Sequence, residues 1–465
     1  MRNREQWGSR LGFILAASGS AVGIGNIWKF PYIAGENGGA AFTIVYLLCI
    51  LVVGLTIVIA EFAIGRSTQL SPVGAFEKIA PHSNWKWVGF LGVASAFVIL
   101  SFYGVVGGWI LKYIFISISG GFNVLNGNPD SAKDLFVAFI GSTWSPVIFQ
   151  VIFMSLCVYV IIKGVKDGIE NWSKIMMPII IALLFILALR GLTLPGGVEG
   201  LKFLFFPRFE ALTASAIVLA LGHSFFTLSL GMGTMITYGS YLKTDQNLLN
   251  SALWVILLDT AIALLAGVAI FTSVFAAGAD PAGGPGLIFY ILPSIFPQLA
   301  YGSIWGTIFF SLLFMAALTS AISILEVVTA YFIDQKGWTR NRATIQFGII
   351  ITLVGVFCSL SMGGGVNLAE YFGSTFQNYL GQTFFDVMDN LSSKYMLPFG
   401  GMMTALFILF KWGVPSFLSE FGTHIINEEK DKSLVKIFLI IAAGVAGFIL
   451  LNELIETFTG SAIIG

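Results

Sequence analysis

The chain has 465 residues, of which 57% are hydrophobic and only 10% are charged, and its mean hydropathy is +0.89 with a formal net charge of zero. Repeated apolar runs of the ~20 residues that a membrane-spanning helix needs predict a polytopic membrane protein. The balanced charge, without a basic block, argues against a nucleic-acid partner, and the three histidines show no zinc-ligand spacing.

Eleven apolar segments predict eleven transmembrane helices. They cover roughly residues 11–36, 40–64, 87–115, 145–163, 171–191, 213–240, 250–276, 303–333, 343–360, 384–410 and 434–457. With the N-terminus in the cytoplasm, the inner segments hold seventeen Lys and Arg residues and the outer segments four, which is a clear positive-inside bias. The C-terminus is then expected outside, and the longer outer segments are expected to form ordered caps or short helices.

The first span contains the stretch SGSAVGIGNIWKFP, in which Gly19, Gly23, Gly25, Asn26 and Pro31 lie at membrane depth. An unsatisfied backbone group in lipid costs several kcal/mol, so an ordinary lipid-facing helix is unfavourable here. We expect a broken helix whose free carbonyls and half-helix ends hold an ion or a charged ligand. The alternative is a glycine-rich face on which two helices pack closely.

The sixth span reads ALGHSFFTLSLGMGTMITYG, where three glycines surround Thr227 and Ser229. It is predicted to be interrupted near mid-depth as well. Glycine-interrupted spans at corresponding places in two halves point to an inverted-repeat transporter with its site at the midplane. We therefore expect one transport domain over 1–465, with a first repeat at 1–191, an inverted second repeat at 205–412 and an added helix at 434–457.

Asp259 stands in an otherwise apolar span, ALWVILLDTAIALLAG. A buried carboxylate needs a cation, a proton or a structural ion pair with a lysine, and the sequence leaves these three open. Sodium fits because a hard cation takes carboxylate, hydroxyl, amide and carbonyl oxygens. Neutral oxygens are available from Asn26, Thr227, Thr319 and Ser320. The alternative for the last two is that their hydroxyls bond back to their own helix.

Taken together, these spans resemble the neurotransmitter:sodium symporter family, and in particular its bacterial amino-acid transporters. The similarity runs nearly end to end, from REQWGSRLGFILAASGSAVGIGNIWKFPY through SFYGVVGGW and FFTLSLGMGTMITYGSY to LDTAIALLAG and LTSAISILE. It implies an all-α polytopic membrane protein with a leucine-transporter-like 5+5 inverted repeat, broken helices 1 and 6 and eleven transmembrane helices. It also implies a sodium-coupled symporter, not an enzyme, working by alternating access in a bacterial cytoplasmic membrane as a monomer or loose homodimer.

The resemblance implies two sodium sites beside one substrate site. The first sodium ion would be held by Ala21, Asn26, Thr227 and Asp259. The second would be held by carbonyls and hydroxyls of Gly19, Val22, Ala316, Thr319 and Ser320. The substrate would contact Ala21, Ile24, Gly25, Ile99, Tyr103, Phe226, Thr227, Ser229, Met232, Ser320 and Ile324.

Two positions narrow the substrate and the coupling ions. Gly23 stands where the resemblance leads one to expect an aspartate in monoamine transporters, so the substrate itself should supply the carboxylate. The implied pocket is apolar and contains the adaptable Met232, which predicts a hydrophobic or aromatic L-amino acid. Chloride-dependent relatives carry a neutral residue where this chain has Asp259, so the fixed carboxylate predicts chloride independence.

The resemblance also implies an outer gate, formed by Lys29 and Asp389, where the family usually has an arginine in place of the lysine. A lysine can bridge to a carboxylate but not bidentately. His223 replaces the family's glutamine near Lys29, so its protonation at low external pH is expected to weaken uptake. The alternative is that a neutral histidine simply stands in for the glutamine.

The inner gate implied by the resemblance consists of Arg4, Trp7, Ser240, Tyr241 and Asp334. Two further features concern the neighbours of span one and the start of span five. Glu61 is expected to hydrogen-bond amides freed at the break of span one. Gly168 and Pro178 flank nine residues at the start of span five, a spacing that would let this helix unwind, unless it is a routine proline kink.

Other functional classes find less support in the sequence. Within the same class, the alternative is a symporter for a small osmolyte. From a different class, the chain could bind an amino acid as a membrane sensor without moving it. An intramembrane enzyme is disfavoured, because we find no nucleophile with a base, no metal cluster and no cofactor motif.

Overall fold

The computed structural model describes residues 4–125, 127–282, 284–362, 381, 383–421, 428–459 and 462–463. Among these residues every regular element is helical, and no strand occurs. A helical structure suits a lipid bilayer, because an α-helix satisfies its backbone hydrogen bonds within one segment.

Nine helices within the described residues are long and apolar enough to cross a membrane. They are span two at Ala40–Thr68, span three at Lys86–Ile118, span four at Ser145–Ile162, span five at Val165–Leu192, span seven at Leu248–Ala276, span eight at Gly302–Lys336, span nine at Arg340–Met362, span ten at Phe384–Trp412 and span eleven at Lys430–Thr459. Span eight is 78% buried over its apolar window, and span eleven only 28%. Span eight therefore lies at the centre of the molecule and span eleven at its edge.

Span one is a bent pair of helices, Arg10–Ala21 and Gly25–Glu36, whose axes differ in direction by 50°. Span six is also divided, into Ala214–Thr227 and the short helix Thr234–Gly239. Counting the bent pair as one crossing gives ten spans by length and composition. The predicted total of eleven requires the divided span six to count as a crossing as well, and it stays a prediction.

The connecting segments contain five short helices, of which Pro129–Gly141, Gly197–Phe205 and Ile291–Ile295 lie in the outer segments for which the sequence predicted them. The other two are Pro72–Ile79 and Val414–Ser419. Five π-helical turns, which the sequence analysis did not predict, interrupt spans at Gly25–Lys29, Ile50–Gly54, Val165–Glu170, Leu391–Met396 and Ile408–Trp412. Such turns often occur at functional sites.

A glycine contact fixes the inner half of span six against span two. A Cβ atom at Gly239 would lie 2.7 Å from the carbonyl oxygen of Phe62. Only a residue without a side chain lets the two backbones approach this closely. The short helix Thr234–Gly239 is therefore held in place by packing, although six residues are too few to form a stable helix alone.

Candidate functional site

The break of span one lies at Val22–Ile24, between the end of one helix and the start of the next. Val22 is extended, with φ −71° and ψ 99°. The Gly23 N–H donates to Asn26 Oδ1 at 3.1 Å, and the Ile24 N–H donates to the Tyr103 hydroxyl at 3.2 Å. Side chains thus replace the hydrogen bonds that the interrupted helix has lost. The predicted broken helix is confirmed.

Span six breaks between Leu228 and Gly233. Ser229, Gly231 and Gly233 all have positive φ angles, of 54°, 77° and 75°. This left-handed backbone favours glycine and ends the helix. Glu61 Oε1 accepts a hydrogen bond from the Gly231 N–H at 2.8 Å. The expectation for Glu61 was therefore wrong about its place, because this carboxylate supports the break of span six and not that of span one.

The Asp259 carboxylate lies fully buried next to the break of span one. Asn26 Nδ2 donates to Asp259 Oδ1 at 2.7 Å, and the Thr227 hydroxyl donates to the same oxygen at 3.3 Å. The other carboxylate oxygen, Oδ2, has no hydrogen-bond partner within the part of the chain that the structure describes. No described lysine or arginine pairs with Asp259. Within the described residues no ion pair therefore balances this carboxylate, which leaves a bound cation or a proton.

The oxygen ligands available here suit an alkali cation better than a divalent metal. The structure brings Asn26, Thr227 and Asp259 together, and Ala21 lines the adjoining cavity. No group of three or more His, Cys, Asp or Glu side chains that could hold a metal ion occurs within the described ranges. A single carboxylate with neutral oxygens matches the charge of one monovalent hard cation.

The five residues expected at the second sodium site lie at the contact between spans one and eight. A Cβ atom at Gly19 would lie 3.3 Å from Thr319 Cβ. The Thr319 hydroxyl donates to its own helix, to Ala316 O at 3.0 Å, as the alternative interpretation held. The Ser320 hydroxyl instead reaches span one, donating to Ser20 O at 2.7 Å and to Val22 O at 3.5 Å.

A small cavity lies between the two breaks. Ten of the eleven residues expected at the substrate site line it, and so do Ser20 and Gly23, which the sequence analysis did not place there. Its lining consists of Ser20, Ala21, Gly23, Gly25, Ile99, Tyr103, Phe226, Thr227, Ser229, Met232, Ser320 and Ile324. The eleventh expected residue, Ile24, lines the neighbouring cavity on the Lys29 side.

Four buried serines, three of which line this cavity, join spans one, six and eight. Ser20 O accepts from the hydroxyls of both Ser229, at 3.0 Å, and Ser320, at 2.7 Å. The Ser20 hydroxyl lies 2.7 Å from that of Ser323. The sequence signal for this network is slight, because a serine in a membrane helix most often bonds back to its own backbone.

The cavity is closed against side chains at Gly23. A Cβ atom there would lie 2.5 Å from Ser320 Oγ and 2.8 Å from the Tyr103 hydroxyl oxygen. A larger residue at this position would therefore displace the Ser320 and Tyr103 hydroxyl groups from their present places.

On the other side of Tyr103 and Phe226 lies a wider cavity that contains Lys29 and Asp389. Lys29 Nζ lies 4.6 Å from the centroid of the Phe226 ring, and Asp389 Oδ1 accepts from the Ser393 hydroxyl at 2.7 Å. Among the described residues no ion pair within 4.0 Å joins Lys29 to Asp389. The two residues face one cavity but do not form the predicted pair in this conformation.

His223 lies near this region, buried beside aromatic rings. Its ring centroid is 5.3 Å from that of Tyr46, and both ring nitrogens lack hydrogen-bond partners among the described residues. It lines a cavity together with Lys29 and Lys394. Lys394, to which the sequence analysis gave no role, pairs with Glu453 of span eleven at 3.0 Å. The pH effect expected from His223 stays a prediction.

At the opposite end of the site, the residues expected at the inner gate form one compact group, here called the Arg4 cluster: Arg4, Trp7, Ser240, Tyr241 and Asp334. Arg4 Nη1 lies 2.5 Å from both carboxylate oxygens of Asp334, and Arg4 Nη2 donates to Ser240 Oγ at 2.5 Å. The guanidinium lies 4.6 Å from the centroid of the Tyr241 ring. The backbone N–H of Trp7 donates to Tyr241 O at 3.2 Å. All five residues are thus in contact.

The Arg4 cluster continues into a second buried ion pair. Tyr241 donates its hydroxyl hydrogen to Glu326 Oε1 at 2.5 Å, and Glu326 also pairs with Arg340 at 2.6 Å. Burial, together with the neighbouring Glu326 carboxylate, raises the pKa of Tyr241 well above its usual value. The tyrosine therefore stays a hydrogen-bond donor, and a continuous polar network joins the Arg4 cluster to Glu326 and Arg340.

The residues around the two breaks, the oxygen ligands and the two ends of the pathway define a membrane transporter. The sequence profile of the Sodium:neurotransmitter symporter family matches residues 4–125 and 137–461. The chain belongs to this family, which consists of transporters and not of enzymes. This confirms the resemblance drawn from the sequence motifs.

Individual relatives agree with this assignment. The chain is 42% identical to an uncharacterized sodium-dependent transporter, YhdH, of Bacillus subtilis, over 89% of this chain and 90% of that protein. It is 34% identical to an uncharacterized sodium-dependent transporter of Haemophilus influenzae, over 88% of this chain and 90% of that protein. Its fold matches the crystal structure of MhsT in complex with L-phenylalanine, with a TM-score of 0.85, 46% identity and coverage of 98% of this chain and 100% of the other.

Proposed function

We propose that this protein is a sodium-coupled symporter that takes up hydrophobic or aromatic L-amino acids by alternating access. In this proposal it works in a bacterial cytoplasmic membrane, with the Arg4 cluster on the cytoplasmic side and the C-terminus outside. The observation that carries the proposal is the fully buried Asp259 carboxylate. One of its oxygens accepts from Asn26 and Thr227, and the other has no hydrogen-bond partner among the described residues. An ionised carboxylate in this place needs a cation that can come and go.

The cavity beside Asp259 supports an amino acid as the substrate. It lies between the two helix breaks, and its lining includes the hydroxyl-bearing residues Tyr103, Ser229 and Ser320. Helix ends and hydroxyl groups suit the charged ends of a zwitterion. The other wall of the cavity is apolar, with Ile99, Met232 and Ile324 among the lining residues. The similarity to MhsT, whose crystal structure contains L-phenylalanine, supports the same substrate class. Gly23 favours a substrate that brings its own carboxylate.

Two sodium ions are proposed to bind with this substrate. The first would be held by Asn26, Thr227, Asp259 and the carbonyl of Ala21, next to the substrate carboxylate. The second would lie between spans one and eight, at Gly19, Val22, Ala316, Thr319 and Ser320. The Thr319 and Ser320 hydroxyls would turn their oxygens from their present carbonyl partners toward this ion.

The conformation described here supports one step of the cycle. The Arg4 cluster is paired, whereas Lys29 and Asp389 are apart. We take this as a state closed toward the cytoplasm. Approach of Lys29 to Asp389 over the bound substrate, followed by opening of the Arg4 cluster, would complete the passage. Unwinding at the start of span five, which is helical here from Asn171 to Leu192, would admit water to the second sodium ion.

Chloride is not required in this proposal, because Asp259 already supplies a fixed negative charge beside the first sodium ion. Uptake that persists when gluconate replaces chloride would agree with the proposal, and a strict chloride requirement would contradict this part of it.

The decisive experiment is uptake of radiolabelled L-phenylalanine and L-leucine into proteoliposomes that contain the purified protein. Uptake should require external sodium and should stop when potassium or choline replaces it. Competition by bulky apolar amino acids, but not by glycine betaine, separates an amino-acid symporter from an osmolyte symporter. Binding of the labelled amino acid without any counterflow would instead indicate a sensor and would overturn the proposal.

A further inference from the structure

Two carboxylates link the N-terminal segment before span one to the start of span five, and each accepts hydrogen bonds from the other segment. Glu5 Oε2 accepts from the Val165 N–H, the first residue of the π-helical turn of span five, at 2.7 Å. In return, Glu170 Oε2 accepts from the Gly8 N–H at 2.6 Å. Glu170 Oε1 accepts from the hydroxyl of Ser9, the residue that caps the first helix, at 2.8 Å. Each carboxylate thus holds backbone at or just before the start of the other helix.

These contacts follow the physics of helix ends. The first N–H groups of a helix have no partner inside it, and that end carries a partial positive charge. A carboxylate there makes charge-assisted hydrogen bonds, which are stronger than neutral ones. The Glu170 side chain is only 1% exposed, so its contacts are shielded from water, and Lys174 one turn later balances its charge at 2.6 Å.

Three glycines make room for the two carboxylates. A Cβ atom at Gly12 would overlap the Glu170 carboxylate, and one at Gly8 would lie 3.2 Å from Glu170 Oε2. A Cβ atom at Gly164, whose φ angle is +89°, would lie 3.0 Å from Glu5 Oε2. The backbone of both segments is therefore shaped around these side chains, which argues against a chance surface contact.

These contacts are joined directly to the Arg4 cluster. Glu5 follows Arg4 in the chain, and its Oε1 accepts from Arg340 Nε at 2.9 Å. Arg340 in turn pairs with Glu326, the partner of Tyr241. The start of span five cannot move away from the N-terminal segment without breaking hydrogen bonds that also hold this network.

We infer that Glu5 and Glu170 form a reciprocal clasp that ties the start of span five to the closed Arg4 cluster, so that the two open together. This inference rests on the proposed alternating-access function. Both glutamates would act by holding the N-terminal segment and the start of span five in place. Neither touches substrate or sodium, and their loss favours the conformation that is open at the Arg4 end. Closure of that end then depends on span five as well as on the Arg4–Asp334 pair.

The test measures how readily a buried residue at this end becomes exposed. Ala330 is 1% exposed and lies one helical turn before Asp334. A reporter variant, Ala330→Cys, is labelled with a membrane-impermeant maleimide in inside-out vesicles, and the labelled peptide is quantified by mass spectrometry. The native cysteines Cys49, Cys157 and Cys358 are all buried and can stay in place.

In this background, Glu170→Gln and Glu5→Gln should each raise the labelling rate about five- to tenfold, the value expected when a charge-assisted hydrogen bond that stabilises the closed state is replaced by a neutral one. Arg4→Ala serves as the positive control. Glu199→Gln makes the same chemical change in an exposed side chain that pairs only with Lys202, and should leave the rate unchanged.

Lys174→Met distinguishes the clasp from the local ion pair of span five. It removes the salt-bridge partner of Glu170 but leaves the contacts of this carboxylate to Gly8 and Ser9. It should raise the labelling rate less than Glu170→Gln does. An equal increase would overturn the inference, because the effect would then come from span five alone.

The inference also fails if both glutamate variants label within twofold of the parent while Arg4→Ala labels fast. If Glu170→Gln does not fold, Glu5→Gln decides, since the Glu5 side chain itself is 45% exposed. Sodium-driven uptake of the parent is measured in parallel. If the glutamate variants label fast but the parent shows no sodium-driven uptake, the clasp is retained and the proposed function is rejected.

Discussion

At the scale of single residues, the candidate site depends on one buried carboxylate whose described neighbours are neutral. Asp259 shares its Oδ1 atom with Asn26 and Thr227, while Oδ2 has no described partner. We expect Asp259→Asn to remove the stabilisation that sodium gives the protein, because the amide no longer balances the charge of the ion. The measurement is thermal unfolding of the purified protein in sodium chloride and in potassium chloride.

For the parent, the unfolding temperature should rise with sodium and not with potassium. For Asp259→Asn, the apparent sodium affinity should fall about tenfold or more, as expected when one partner of a buried charge pair is lost. Asp134→Asn, at an exposed position, is the matched control. A normal sodium response in Asp259→Asn would show that the ion binds elsewhere.

A second residue-scale prediction concerns Gly23. In Gly23→Ala, the added methyl group would lie within 3 Å of Ser320 Oγ and the Tyr103 hydroxyl oxygen, so the substrate site should be narrowed where the carboxylate is proposed to bind. Affinity for the amino acid, measured by equilibrium binding in sodium, should fall about tenfold or more. Gly444→Ala meets nothing within 4 Å and should bind like the parent. Equal affinities would place the carboxylate elsewhere.

Sequence reasoning works at this scale where a residue is chemically out of place. Asp259 is conspicuous because no charge accompanies it in its span, and Asn26 and Gly23 are conspicuous in a membrane helix. Ser20 and Glu61 were missed or misplaced because their partners come from other spans. The carbonyl of Ser20 accepts two hydroxyl groups, and Glu61 holds the Gly231 amide, neither of which a local pattern reveals.

At the scale of the helices, the two breaks need support from their neighbours, and Glu61 supplies it for span six. In Glu61→Ala, the buried Gly231 N–H loses its partner and a cavity forms, so the protein should lose about 1–3 kcal/mol of stability. Thermal unfolding should begin a few degrees lower than in the parent.

Glu77→Ala is the control for this change, because Glu77 is exposed on the short helix Pro72–Ile79. An unfolding temperature equal to that of the parent would show that the break of span six does not depend on Glu61. A loss of stability in both variants would point to a general effect of removing a glutamate.

The positions of the breaks could be predicted because glycine, asparagine and proline are costly in a lipid-facing helix. The π-helical turns could not, since π-turn residues such as Ile50–Gly54 are as apolar as the helix around them. The six-residue inner half of span six is also invisible to a search for long apolar helices. It is defined by Gly233 in a left-handed conformation and by the close contact of Gly239 with span two.

At the scale of the whole molecule, the proposed cycle moves net positive charge, because two sodium ions accompany a zwitterion and Asp259 stays in the protein. Each charge that crosses 100 mV changes the free energy by ~2.3 kcal/mol, or about 50-fold in accumulation at equilibrium. We expect an inside-negative potential to increase uptake. A potassium gradient with valinomycin across proteoliposomes tests this. Uptake that ignores the potential would require a compensating ion, such as a proton moving outward.

The family and the helical architecture could be predicted from the sequence because apolar runs and long motifs occur along nearly the entire chain. The contacts across the molecule could not. The Arg4–Asp334 pair and the serine network join residues more than 200 positions apart. Only the resemblance suggested the first, and nothing suggested the second.

The 50° bend of span one leads to one further consequence. Main-chain oxygens at such a bend are present whatever the side chains are, whereas Ile99, Met232 and Ile324 contribute only shape. We therefore expect sodium binding to depend on these main-chain oxygens and on Asp259, Asn26 and Thr227, and the choice of substrate to depend on the three apolar side chains. Replacing those three side chains should change which amino acid is accumulated, while the sodium gradient still drives the uptake. One fold could then serve different substrates without a change in its ion-binding residues.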